Sequence, residues 1–196
     1  MCRRDRKVTV KQDLYQKMDE ICKPDTCFIA NTSCISITAI AAFTSRMDQV
    51  IGIHFMNPAA LKSTVELIAG VHTNQDTIQK AERFLSELGK SFVSVGDFPG
   101  FVSNRISHLF MNEAAFAVQD RLAEPAQIDK IFRECFGHKL GPLETADLIG
   151  LDVVADSLDI LFESYHDSKY RCCPLLRKMV SAGMLGKKSG KGFYCY

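Results

Sequence analysis

The sequence predicts an α/β protein in which a mainly parallel sheet wrapped by helices is followed by an all-helical domain. Three observations carry this. Short β-branched runs alternate with amphipathic helical stretches up to residue 96. Past Gly96-Asp97-Phe98-Pro99-Gly100, helical periodicity takes over and no convincing strand appears until the last few residues. With 196 residues, 46% hydrophobic and 24% charged, the chain has the apolar content for one or two packed cores.

The elements follow in order. Val10, Leu14, Met18 and Ile21 recur at spacings of three and four, an amphipathic helix that Pro24 ends. Cys27-Phe28-Ile29-Ala30 reads as a strand, followed by Asn31-Thr32-Ser33 and a second helical stretch from Ser36 to Phe43. Val50–Phe55 and Thr64–Ile68, bounded by Pro58 and Gly70, are two further strands. Ile78, Ala81, Phe84, Leu85 and Leu88 share one helix face before Gly89, and Phe92-Val93-Ser94-Val95 is a fourth strand. Helical periodicity then covers 102–118, 126–136, 142–149, 151–165 and 174–182. A boundary near residue 97 divides the chain into an α/β domain, 1–96, and a helical domain, 97–196. The first domain supplies about one of the two βαβαβ halves of a doubly wound nucleotide-binding sheet.

Composition excludes several classes of function. A balance of 24 basic against 23 acidic residues gives no support to a nucleic-acid or anionic-membrane partner. No apolar run approaches the ~20 residues that cross a bilayer, and the basic start Met1–Lys7 leads into no signal-type apolar stretch. The eight cysteines include no C-x-x-C pair, so reduced structural thiols in a reducing, cytoplasmic setting are expected, with no metal site. None of the 12 glycines lies in a G-x-G-x-x-G or G-x-x-x-x-G-K-[ST] pattern. The closest feature, Gly186-Lys187-Lys188-Ser189-Gly190-Lys191-Gly192, follows no strand and reads as a basic turn.

Three residues could do chemistry together. His54 ends one strand, Glu66 lies within the next and Ser33 follows an earlier one, so strand packing could gather them at one sheet edge. Imidazole carries protons near neutral pH, and a carboxylate on its second nitrogen would fix the tautomer and stabilise the imidazolium. Each residue also has an ordinary alternative: a structural histidine at a strand end, a solvated glutamate on an edge strand, and a serine capping the helix that begins near Ser36.

Six segments, in order and at compatible spacings, resemble the 3-hydroxyacyl-CoA dehydrogenase family. They are Asn31–Thr38, Gly52–Pro58, Val65-Glu66-Leu67-Ile68, Pro99–Arg105, Gly141-Pro142-Leu143-Glu144 and Gly186–Tyr194, and the likeness runs from about Val8 to Tyr196. The resemblance implies a partial Rossmann-type parallel sheet with a helical dimerisation domain, and an NAD-dependent oxidoreductase of fatty acid metabolism. It implies oxidation of a 3-hydroxyacyl thioester to the 3-oxoacyl thioester. By the same likeness His54 is the catalytic acid/base, Glu66 orients it, and Ser33 and Asn104 bind the substrate. Lys11, Asn31, Ser33 and Asn57 lie toward the cofactor, and the protein is a homodimer.

The sequence also departs from the family pattern. The family's first strands, its G-x-G-x-x-G turn and its ribose-binding acid have no counterpart here, and Arg6-Lys7 stands where relatives carry an acidic E-N pair. An alternative is therefore a catalytically incomplete fragment, or one subunit of a split enzyme, that keeps the thioester pocket and dimer surface. Ala59-Ala60-Leu61-Lys62-Ser63-Thr64 departs from V-P-x-M-K-L, which points to a second alternative, a short polar acyl group presented on an acyl carrier protein rather than CoA.

Overall fold

The computed structural model describes residues Val8–Tyr196, and these divide into two units between Phe101 and Val102. In the first, α1 (Val8–Ile21), β1 (Phe28–Ala30), α2 (Ile37–Ala41), β2 (Val50–His54), β3 (Thr64–Ala69), α3 (Gln75–Glu87) and β4 (Ser91–Val95) follow in that order. The strands lie β1-β2-β3-β4 in one sheet. The β1–β2 and β3–β4 pairs are parallel, whereas β2–β3 is antiparallel. The mainly parallel sheet expected from sequence thus contains one reversal. Its cause is length: residues 55–63 join β2 to β3, fewer than the roughly one dozen a parallel crossover needs.

The apolar run of β2 is buried along its whole length because both faces of the sheet are covered. On one face Phe28, Ala30, Val50 and Ile68 pack with Tyr15 of α1, Ile37 and Ile40 of α2, and Phe101. On the other, Ile51, Ile53, Val65 and Leu67 pack with Ala81 and Leu85 of α3. The strand period of two sorts neighbours onto opposite sides. Gly52 is the exception that lets α2 approach: a Cβ there would lie 2.5 Å from Cδ1 of Ile37 and 3.1 Å from Cβ of Ile68. At the N-terminus of α3, the Asn74 side chain accepts from the Thr77 amide at 2.8 Å, as a cap should.

The second unit is built from α4 (Ser103–Gln119), α5 (Pro125–Phe136), α6 (Pro142–Ile149), α7 (Leu151–Tyr165) and α8 (Pro174–Ser181). Met111, Leu143, Leu151, Val154, Leu158 and Leu176 centre its core. Pro at the first position starts α5, α6 and α8, where its missing N–H costs nothing. Two buried aspartates organise the polar groups. Asp129 accepts from the Leu143 and Glu144 amides at the start of α6, at 2.9 and 2.8 Å, and from the Tyr194 hydroxyl at 2.7 Å. Asp147 accepts from the Phe193 and Tyr194 amides, both at 3.0 Å.

These contacts explain the glycine-rich basic turn. A Cβ at Gly192 would sit 2.0 Å from Oδ1 of Asp147 and one at Gly186 would sit 2.3 Å from the Asp147 carbonyl oxygen. The glycines let the C-terminal segment close on Asp147, and only two isolated bridges, Gly186–Lys191 and Lys191–Cys195, form there.

Candidate active site

The first unit brings His54, Glu66 and Ser33 together. In the antiparallel register His54 of β2 stands directly opposite Glu66 of β3. Directly opposed Cβ atoms lie about 5 Å apart, so the two side chains can meet above one face. They do: His54 Nδ1 is 2.7 Å from Oε2 of Glu66, and both residues are buried, 5% and 6% exposed. Ser33 Oγ lies 3.2 Å from the other ring nitrogen, Nε2. An ionised carboxylate only accepts, so Nδ1 carries a proton toward Glu66; in the neutral ring that leaves the Nε2 lone pair facing Ser33.

The ordinary alternatives for Glu66 and Ser33 fail for physical reasons. Glu66 lies on an inner strand between the buried Val65 and Leu67, where an unpartnered charge would be costly. Ser33 does not cap α2; Ser36 does, accepting from the Ala39 amide at 3.4 Å. The feature that betrays Glu66 in the sequence is a carboxylate inside an otherwise continuous apolar run.

The other residues expected at the site fall on several elements of the two units. Asn31 follows the end of β1 and Asn57 lies three residues past the end of β2. Because those strands are parallel, both asparagines belong to the carboxyl end of the pair, where open α/β sheets bind ligands, and both are exposed. Lys11 is half-buried on α1. Asn104 belongs to the second unit, half-buried on the first turn of α4, with its carbonyl accepting from His108 Nδ1 at 2.9 Å.

Two further residues shape the site without a signal strong enough to find them in the sequence. Phe101, which lies past the sequence boundary near residue 97, falls in the first unit: its ring centroid lies 5.7 Å from that of His54, tilted by 54°. Lys90 donates to the carbonyls of Ala59 and Lys62 at 2.8 and 2.6 Å, tying down the loop that follows Asn57.

Comparison with known proteins matches the chain to a family. Residues 6–98 match the 3-hydroxyacyl-CoA dehydrogenase NAD binding domain, and residues 100–196 match the 3-hydroxyacyl-CoA dehydrogenase C-terminal domain. The chain belongs to the 3-hydroxyacyl-CoA dehydrogenase family. Among curated family members it is similar to a probable 3-hydroxybutyryl-CoA dehydrogenase of Bacillus subtilis, 46% identical over 96% of this chain and 66% of the relative. A probable 3-hydroxybutyryl-CoA dehydrogenase of Deinococcus radiodurans is likewise 46% identical, over 95% of this chain and 67% of the relative. Among solved structures, an (S)-3-hydroxybutyryl-CoA dehydrogenase from Ralstonia eutropha superposes with a TM-score of 0.93 at 40% identity, over 97% of this chain and 68% of that one. The chain spans about two thirds of the length of these family members. The family likeness establishes a Rossmann-like NAD-binding unit followed by the family's helical C-terminal domain.

Among the described residues no helix is long and apolar enough to cross a membrane, and no group of three or more histidines, cysteines or acids could hold a metal ion. Cys172 is buried, and burial pushes its thiol up to about 11, which keeps it protonated and unreactive at neutral pH.

Proposed function

We propose that the chain is an NAD-dependent 3-hydroxyacyl-CoA dehydrogenase unit, oxidising the 3-hydroxyl of a short-chain acyl-CoA to the 3-oxo group. One observation carries the proposal: the line Glu66, His54, Ser33, in which the buried imidazole commits Nδ1 to the buried carboxylate and sets Nε2 beside the exposed Ser33 hydroxyl. Similar proteins bear the name 3-hydroxybutyryl-CoA dehydrogenase, which makes 3-hydroxybutyryl-CoA the first substrate to test.

The residues fit the reacting end of the cofactor better than its diphosphate. Asn31, Ser33 and Asn57 are uncharged polar groups at the carboxyl end of β1 and β2, suited to a carboxamide or hydroxyl. Lys11 is the one cation in our cofactor assignment. A bound NAD would supply the hydride acceptor for C3 of the substrate.

His54 does the proton work. Its Nε2 withdraws the proton from the 3-hydroxyl as C3 loses hydride, and the charge that builds on the ring is stabilised by Glu66 on Nδ1. Ser33 donates to or accepts from the substrate oxygen beside Nε2, holding it in line. Asn104, on the second unit, is assigned to the substrate by the family resemblance alone. Phe101 covers one side of the ring and keeps water from it, which strengthens the Glu66 interaction.

The helical unit is proposed to form a homodimer. Ile131, Phe136, Leu148 and Phe162 are 50%, 66%, 56% and 41% exposed, apolar surface that a partner copy would bury. A cytoplasmic location suits the buried thiols of Cys172 and Cys173. The function is tested by following NADH formation from 3-hydroxybutyryl-CoA, from the same acyl group on an acyl carrier protein, and from a 3-hydroxyadipyl thioester. The proposal expects turnover of the short acyl-CoA; turnover of the carrier-protein thioester alone would replace the carrier.

A further inference from the structure

We infer that Asp97 is a positioning residue that holds the Ser33 turn and Phe101 against His54. This rests on the proton-transfer role proposed for His54. The carboxylate accepts four hydrogen bonds from α2 and the residue before it: Oδ1 from the Ile37 amide at 2.7 Å, and Oδ2 from Ser36 Oγ at 2.8 Å and from the Thr38 amide and Oγ1 at 2.7 Å each. Such charge-assisted bonds at a helix start are strong and directional. They join two segments that are about sixty residues apart in sequence.

Each joined segment carries one contact to the imidazole. Ser33 lies three residues before Ser36, across a turn in which Thr32 Oγ1 accepts from the Ile35 amide at 3.2 Å. Phe101 lies four residues after Asp97, its amide bonded to the Phe98 carbonyl at 2.9 Å. Gly100 and Phe101 both take left-handed backbone, φ 81° and 46°. For a bulky residue that conformation is strained and persists only when its surroundings enforce it. The reward of the turn is the Phe101 ring beside His54.

The network also reaches the strand that carries Glu66. Thr38 Oγ1 accepts from the Val71 amide at 3.0 Å, just past the end of β3, and a Cβ on Gly70 would lie 3.1 Å from the Thr38 nitrogen. One carboxylate therefore fixes the connections after β1, β3 and β4 with respect to one another. Neither contact to His54 includes Asp97 itself, so its effect passes through Ser33 and Phe101.

The test compares Asp97→Asn and Asp97→Ala with Leu85→Ala, a core truncation on the other face of the same sheet, in the full chain. Imidazole nitrogen resonances of His54 are recorded without substrate, and kcat and KM are measured with 3-hydroxybutyryl-CoA. The inference expects both Asp97 variants to displace the Nε2 resonance and to lower kcat about tenfold or more, with KM changed far less. Leu85→Ala is expected to lower the melting temperature and leave the resonance in place. Asp97 variants that melt like Leu85→Ala yet keep the wild-type resonance and kcat overturn it. If Asp97→Ala does not fold, Thr38→Val, which removes one of the four bonds, gives the same comparison at smaller amplitude. Absent turnover in the wild-type chain would count against the proposed reaction, and the resonances alone would then decide the role of Asp97.

Discussion

His54 and Glu66 face each other across an antiparallel strand pair, and the 2.7 Å contact between them follows from that register. A slip of one residue would send one side chain to the opposite face, so sheet and chemistry are set together. Glu66→Gln keeps the shape and removes the charge that stabilises a protonated ring. It is expected to lower kcat roughly 100-fold with KM nearly unchanged, measured by NADH absorbance in steady state. An unchanged kcat would mean that the carboxylate is only structural.

Ser33→Ala removes the hydroxyl 3.2 Å from Nε2 and leaves the Glu66 contact intact. The expected loss is roughly 10- to 100-fold in kcat/KM for the acyl-CoA, from a substrate oxygen no longer held in line. The fold should be unaffected, because Ser36 and Asp97, not Ser33, cap α2.

The meeting of His54, Glu66 and Ser33 is legible in residue order, for a physical reason, whereas their roles rest on the family resemblance. His54 and Glu66 each interrupt a β-branched run, and a polar group inside such a run must have a partner in the fold. Strand direction was harder to read. Alternating strands and helices suggest parallel pairing, and only the short link 55–63 betrays the reversal that puts Glu66 opposite His54. Phe101 and Asp97 left no periodic signal, since their roles depend on a left-handed turn and on contacts about sixty residues away. The Gly186–Gly192 turn looked like a basic loop because its true partner, the buried Asp147, is distant in sequence.

Asp129 is the hub of the helical unit, and Asp129→Ala would strand the Leu143 and Glu144 amides at the start of α6. The expected cost is about 2–4 kcal/mol, a fall of roughly 5–15 °C in melting temperature by calorimetry. A fall of only a degree or two would show that water replaces the carboxylate.

Alkaline pH is expected to destabilise the first unit through Tyr15, which is 5% exposed and whose phenol burial pushes up to about 12. An unfolded tyrosine ionises near 10, below the folded value, so the unfolded state releases its proton first. Stability is then fully present below about pH 10 and lost as pH rises toward about 12. Burial and the Asp129 carboxylate raise Tyr194 in the same direction. Melting temperatures between pH 8 and 12 should fall less steeply in Tyr15→Phe than in the wild type.

The claim that a buried imidazole moves the substrate's proton is tested most directly by His54→Ala. NADH formation from 3-hydroxybutyryl-CoA is measured for wild type and variant, with the chain alone and with a family member's glycine-rich dinucleotide-binding segment supplied in trans. The account expects wild-type turnover and a loss of about 10²- to 10⁴-fold in the variant, with an unchanged melting temperature. A variant that turns over as fast as the wild type would contradict it.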